Sequence, residues 1–234
     1  MKLLRLMKLE IKKNKMNNYT VASLVATLGL VAFIYFIAYV AQVENEPDFQ
    51  NYANIFLFVG IVSMIVFSIL SAVMYSRFVI EEYTGKRMLL LFSYPVNRQK
   101  VLLAKMALVI GFTTFAMALS NIPPLVIFSI TESISPIVND TLSSELLLSI
   151  VKTIFVLSIT VNGISLIAMR IGFMKRSVPA TIVTAFLLCA VVGNIVISSF
   201  GNDVLLLILL GVVALAGAIV IIELMKKVNS MEID

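Results

Sequence analysis

Long stretches without a single charged side chain alternate with short clusters of charge along this chain. The uncharged runs are residues 16–43, 49–76, 106–131, 177–202 and 204–222, and a sixth, 146–169, is broken only by Lys152. A helix rises about 1.5 Å per residue, so roughly 20 apolar residues cross the ~30 Å hydrocarbon layer of a bilayer. Each run is long enough, and the pattern predicts six transmembrane helices with cores near 20–42, 55–75, 106–130, 147–169, 178–199 and 204–223. Residues 88–97 are also uncharged, but ten residues are too few to span. Gly201, Asn202 and Asp203 separate the last two spans and predict a tight helical hairpin.

Composition agrees with this pattern. Of 234 residues, 60% are hydrophobic and 13% charged, whereas a soluble domain carries about a quarter charged residues. The expected fold class is therefore all-α: a polytopic membrane protein of six transmembrane helices. It divides into a basic amphipathic interfacial segment (1–19), the first two spans (20–75), a loop (76–105), four more spans (106–224) and a tail (225–234).

The sign of the charges sets the expected orientation, because loops rich in Lys and Arg stay on the cytoplasmic side. Lys2, Arg5, Lys8, Lys12, Lys13 and Lys15 precede span one, and Arg77, Lys86, Arg87, Arg98, Lys100 and Lys105 follow span two. Arg170, Lys175 and Arg176 follow span four, and Lys226 and Lys227 follow span six. All of these fall on one side. The opposite connections carry Glu44, Glu46, Asp48, Glu132, Asp140, Glu145 and Asp203. Lys152 alone departs, near the outer end of span four, where its stem can snorkel to the interface. Both termini are thus expected in the cytoplasm of a cell membrane protein.

Before span one, Leu3, Leu4, Met7 and Ile11 share a helical face while Lys2, Arg5, Lys8, Lys12 and Lys15 occupy much of the other. That is the pattern of a helix lying in the inner interface, although Leu9 interrupts the basic face. The alternative is a disordered basic tail whose charge only sets topology.

The candidate chemistry is sparse. There is no histidine, and the single cysteine, Cys189, lies inside an apolar run, so neither a disulfide nor a cysteine-based metal site is expected. No phosphate-binding GxxxxGK[ST], HExxH or GxSxG pattern occurs, so no catalytic, metal or cofactor-binding residue is assigned. The spans look almost free of buried charge, which disfavours an ion-coupled carrier. Asn121, Asn162 and Asn194 are the polar mid-span residues, suited either to hydrogen bonds between helices or to a substrate path. Pro123 and Pro124 should kink or end span three, since two backbone donors are missing there, and a kink can line a cavity on the same substrate path.

Residues 77–105 form a connection longer than topology needs. Glu81, Glu82, Tyr83 and Thr84 lead to Gly85, a residue able to take a left-handed turn, then to Lys86 and Arg87. An apolar stretch, Pro95 and Asn97 come next, and Asn97 is placed to cap a helix entering span three. Glu81, Glu82, Gly85, the leucines of 89–91, Pro95, Arg98, Lys100 and Lys105 resemble the segment after the second span of ABC-2 type ABC-transporter permeases. In size the chain is similar to the peptide export and immunity permeases of Gram-positive bacteria.

The resemblance implies a permease that lacks an ATPase of its own. It implies a cytoplasmic ATP-binding subunit that holds the ATP and magnesium, a second permease subunit, identical or not, surrounding membrane lipids, and no nucleic acid. It also implies that residues 80–87 form a short coupling helix or turn against the ATPase. Tyr83 and Arg87 are then the expected anchors, Glu81 or Glu82 would pair with a basic residue of the partner, and Gly85 would supply backbone freedom. Export of amphipathic or antimicrobial peptides, or of lipid-like molecules, is the corresponding expectation. The competing reading is a non-transporting membrane anchor or a stand-alone immunity protein.

Overall fold

A computed structural model describes residues 3–44, 51–84, 97–134, 143–199 and 202–229. The elements in order are α1 (Leu3–Lys13), α2 (Asn17–Glu44), α3 (Tyr52–Tyr75), a π-helical turn (Ser76–Ile80), α4 (Arg98–Ile134), α5 (Ser144–Lys175), α6 (Val178–Ser198) and α7 (Asp203–Asn229). Six helices are long and apolar enough to cross a membrane, and the described residues contain no strand. The protein is a polytopic, all-α membrane protein.

Side chains that cap the first free amides start these helices. Asn51 accepts from Ala53, Ser143 from Leu146 and Ser177 from Ala180, each from an extended backbone conformation. Asn97 caps α4 through the Lys100 amide, and Asn202 caps α7 through Val204 and Leu205. At the other end of α5, Arg176 takes a left-handed conformation (φ 48°) that stops the helix and lets Ser177 start the next. Lys15 does the same (φ 33°) between α1 and α2.

The spans are apolar on all sides, so packing rather than amphipathicity decides which faces lipid. α3, α4 and α5 are the most deeply buried; α2, α6 and α7 flank them, and only 22% of the apolar window of α2 is covered by protein, against 67% for α3. Close approach needs small residues. At Gly163 a Cβ would meet Val213 of α7, and at Gly172 it would meet Thr181 of α6 and Ile80 of the π turn. The outer faces carry exposed aliphatic side chains, such as Val21, Leu24, Val25 and Leu28 on α2.

Two expectations about α4 are corrected. The Pro123 and Pro124 pair does not end it; the helix runs on to Ile134. The missing donors free only the carbonyls four residues earlier, and packed neighbours and polar side chains make such gaps tolerable inside a bilayer. Nearby, Ser120 bonds Thr27 of α2, and the Asn121 amide returns to the Met117 carbonyl. The helix starts at Arg98, where the Asn97 cap predicts it, so Lys105, assigned to the loop of 76–105 by its charge, lies within α4 with no exposed surface. The expectation of nearly charge-free spans fails there. At the other end of α4, Glu132 is a buried helical residue that accepts a hydrogen bond from Tyr52 at 2.8 Å.

Candidate functional site

The most constrained polar arrangement lies at the end of the bundle that carries α1, where three segments distant in sequence meet. A π turn adds a residue to a helical turn, which rotates the succeeding residues by about 100° relative to a regular helix. Here the Glu81 amide bonds the Ser76 carbonyl at 2.9 Å, five residues back, and the chain leaves α3 with Glu82 and Tyr83 both turned inward. Thr84 closes the turn by donating to the Ile80 carbonyl at 2.9 Å.

Glu82 bridges two cations. One carboxylate oxygen lies 2.7 Å from Lys105 Nζ of α4, and the other lies 2.7 Å from Lys13 Nζ of α1. Lys105 Nζ also lies 2.9 Å from Glu10 of α1, whose carboxylate accepts from Asn14 as well. Two acids and two bases alternate, so the cluster is neutral. Burial raises the Glu82 pKa, but the Lys105 and Lys13 ammonium groups outweigh it and hold the carboxyl below its ordinary value. Both carboxylates compensate Lys105, which lies away from water.

This cluster explains how α1 sits. Leu6 packs on Val101 and Ala104, with Met7 beside them, so the Leu6, Met7, Glu10 and Lys13 side faces α4. Leu4 and Ile11 point outward at 77% and 45% exposure, and Arg5 and Lys12 are exposed on the remaining arc. The helix has three faces rather than two. One holds protein, one offers apolar groups to lipid, and one is basic.

Tyr83 is fastened on the other side of the turn. Its ring is 3% exposed and lies 5.7 Å from that of Phe173 in α5, and Lys227 Nζ of α7 sits 5.9 Å from the Phe173 centroid. Burial, with Glu82 and Glu10 nearby, pushes the phenol pKa well up, so Tyr83 remains neutral. Its hydroxyl has no hydrogen-bond partner among the described residues. Tyr83 is thus placed as a brace inside the subunit, and its buried ring is not presented as an anchor for another chain. Glu81 is half-buried. Gly85, Lys86 and Arg87 lie outside the described residues.

The polar mid-span residues separate into two kinds. Asn121 donates to Ser63 of α3 at 2.8 Å, and Asn162 of α5 donates to Thr114 of α4 at 2.8 Å. Both tie helices together. Asn194 instead returns its amide to the Ala190 carbonyl of its own helix and faces outward. Pro124 is buried and Pro123 half-buried. Sequence reasoning missed Glu10 and Phe173 and the inward position of Lys105. The only signal for Glu10 was its place beside Leu6 and Met7 rather than among the basic residues of α1.

The family model described as ABC-2 family transporter protein matches residues 6–193, most of the chain and every element from α1 into α6. This chain belongs to that family. The permease is also 30% identical over 191 residues to the uncharacterized protein YcbO of Bacillus subtilis (strain 168), covering 82% of this chain and 84% of that one. No solved structure matches it. Membership makes the chain a membrane-spanning permease subunit of an ABC transporter, not itself the ATPase, and implies an ATP-binding partner subunit in general.

Proposed function

We propose that this permease is one half of the membrane part of a two-component exporter, moved by a separate cytoplasmic ATP-binding subunit that docks on the loop after α3. The observation that carries the proposal is the triple fastening of that loop. Glu82 ties it to α1 and α4, and Tyr83 ties it to α5. A push on such a loop cannot be absorbed locally and is passed to the helices it grips. Glu82 and Tyr83 act inside the subunit, so Arg87 with Lys86 is the proposed contact to the partner, and Gly85 supplies the backbone freedom of the turn.

In this reading the basic end of the bundle is cytoplasmic, and a second copy or a related permease completes the path. Amphipathic peptides or lipid-like molecules are the proposed cargo. What supports this class is the full compensation of the buried charge at Lys105, which leaves that lysine without a role in binding an ion. Orientation is tested by thiol labelling in a Cys189→Ser background. Cysteines at Asp48 and Asn139 should react with an impermeant reagent from outside, and those at Lys13 and Lys175 should not.

The experiment for the proposal as a whole is affinity purification of the full chain from its native membrane in mild detergent. An ATP-binding chain should co-purify, and Gly85→Val, which leaves the charge unchanged, should lose it while remaining in the membrane. Recovery of the permease without any nucleotide-binding chain would favour the anchor reading instead.

A further inference from the structure

Helix α1 carries Arg5, Lys8, Lys12 and Lys13, and the bundle uses only the last of them. Lys13 is paired with Glu82, whereas Arg5, Lys8 and Lys12 are exposed and have no hydrogen bond or ion pair to another described residue. At about 100° per residue these three fall within about 60° of one another, on the side of the helix turned away from Leu6 and α4. Glu10, the acid of α1, is turned the other way, onto Lys105. The outward arc therefore shows positive charge alone. Leu4 and Ile11 border it on one side and Leu9 on the other, at 77%, 45% and 51% exposure.

The depth of α1 follows from what it touches. Leu6 packs on Val101 and Ala104, and Glu10 meets Lys105, the last charged residue before the uncharged run 106–131. Only Asn14, Lys15 and Met16 separate α1 from α2, which is itself a span. The helix thus lies where the bundle leaves the hydrocarbon, at the level of lipid headgroups. A basic arc flanked by exposed aliphatic side chains at that level matches an anionic leaflet, with phosphates for the cations and the upper acyl region for the leucines and isoleucine. Water would solvate the cations as well, but it would leave Leu4, Leu9 and Ile11 uncovered.

We infer that the outward arc of α1 docks on an anionic lipid surface, and that this contact strengthens the grip of the same helix on Glu82. An isolated helix of 11 residues is marginal in water. Lipid and bundle hold opposite sides of it, so they do not compete, and each benefits from the order that the other imposes. The coupling is reciprocal. Lipid that favours the formed helix holds Glu10 on Lys105 and Lys13 on Glu82, and so holds the loop after α3. The charge of the leaflet then sets how firmly that loop is fixed. No ATP-binding chain is needed for this coupling, so its failure would leave the proposed docking standing.

The test is hydrogen exchange, read by mass spectrometry, of the full chain in nanodiscs of phosphatidylcholine alone or mixed with an equal amount of phosphatidylglycerol. Phosphatidylglycerol should slow exchange both in α1 and in residues 77–84, with the middle of α3 as the unchanged reference. A basic side chain beside an anionic surface is worth about a fivefold preference, so three of them allow a slowing of at most about a hundredfold. Arg5→Gln, Lys8→Gln and Lys12→Gln together should remove most of it. Lys175→Gln, Arg176→Asn and Lys226→Gln take the same charge from exposed positions on the α5–α6 turn and α7, and should keep the lipid effect. Asn suits the left-handed backbone at position 176. Equal exchange in the two nanodiscs, a full lipid effect in the α1 triple variant, or an equal loss in the control variant would each overturn the inference. Slowing confined to α1, with residues 77–84 unchanged, would make α1 a lipid anchor only and overturn its link to the loop.

Discussion

Lys105 Nζ and Glu82 Oε2 lie 2.7 Å apart, although 23 positions separate them in the chain and the lysine has no exposed surface. The pair joins the end of one transmembrane hairpin to the start of the next helix. Glu10 and Lys13 extend it to α1. Covering the charges of Lys105, Glu82 and Glu10 is costly, and a network of this kind is weak evidence for stability by itself. Its evident consequence is positional. The loop after α3 has one place to sit, set by charges that must all be paired.

Removing one member should therefore hurt more than the network contributes. Lys105→Met leaves two carboxylates facing a buried site, and the expected loss is about 3 kcal/mol or more of stability. Glu10→Gln keeps a hydrogen-bond acceptor and leaves Lys105 with Glu82, for an expected loss of about 1 kcal/mol. Chemical unfolding of both variants in the same detergent checks the order. Equal losses would mean that Lys105 does not sit between the two acids.

The Glu82 carboxyl predicts a pH dependence. Its folded value is held below the ordinary 4.5, so the stability it contributes is complete above that value and is lost as pH falls through the depressed one. Melting temperature should fall as the buffer is taken below about pH 4.5, and Glu82→Gln should flatten that part of the profile. An unchanged acid limb in Glu82→Gln would assign the slope to other carboxylates.

Tyr83 gives a sharper contrast. Its hydroxyl finds no partner among the described residues, so Tyr83→Phe should be close to neutral in stability and in partner association. Tyr83→Ala opens a cavity beside Phe173 and should cost about 3 kcal/mol. If Tyr83→Ala lost association while keeping full stability, the ring would belong to the partner interface after all.

Gly172 tests how tightly the same end is packed. A Cβ there would overlap Thr181 Oγ1 and lie 2.7 Å from Ile80 Cδ1, with α6 and the π turn on either side. Gly172→Ala should cost about 1–3 kcal/mol. Adding Thr181→Ala removes the closest atom and should restore part of that loss, measured by thermal unfolding. No recovery would place the strain in the backbone instead.

Much of the architecture was legible because a bilayer leaves few choices. Six uncharged runs had to become six helices, and Asn97 followed by a basic helical stretch marked the start of α4. Local rules failed where tertiary contacts decide. Lys105 read as one more basic loop residue, since nothing nearby in sequence announces that Glu10, 95 positions away, will cover it. Pro123 and Pro124 read as a kink or an end, and α4 does not end there. Tyr83 read as an anchor for the ATPase, and the π turn that directs it inward leaves no pattern in the residues themselves. Among the asparagines, composition could not separate Asn121 and Asn162, which link helices, from Asn194, which does not.

The central claim is that an ATP-binding chain grips the loop after α3. A photoreactive residue placed at Lys86 tests it in intact membranes, with a second at Asn139, in the opposite connection, as control. Irradiation should attach the Lys86 probe to a nucleotide-binding subunit and the Asn139 probe to none. A Lys86 probe that captures no such subunit, in a permease present at normal levels, would contradict it.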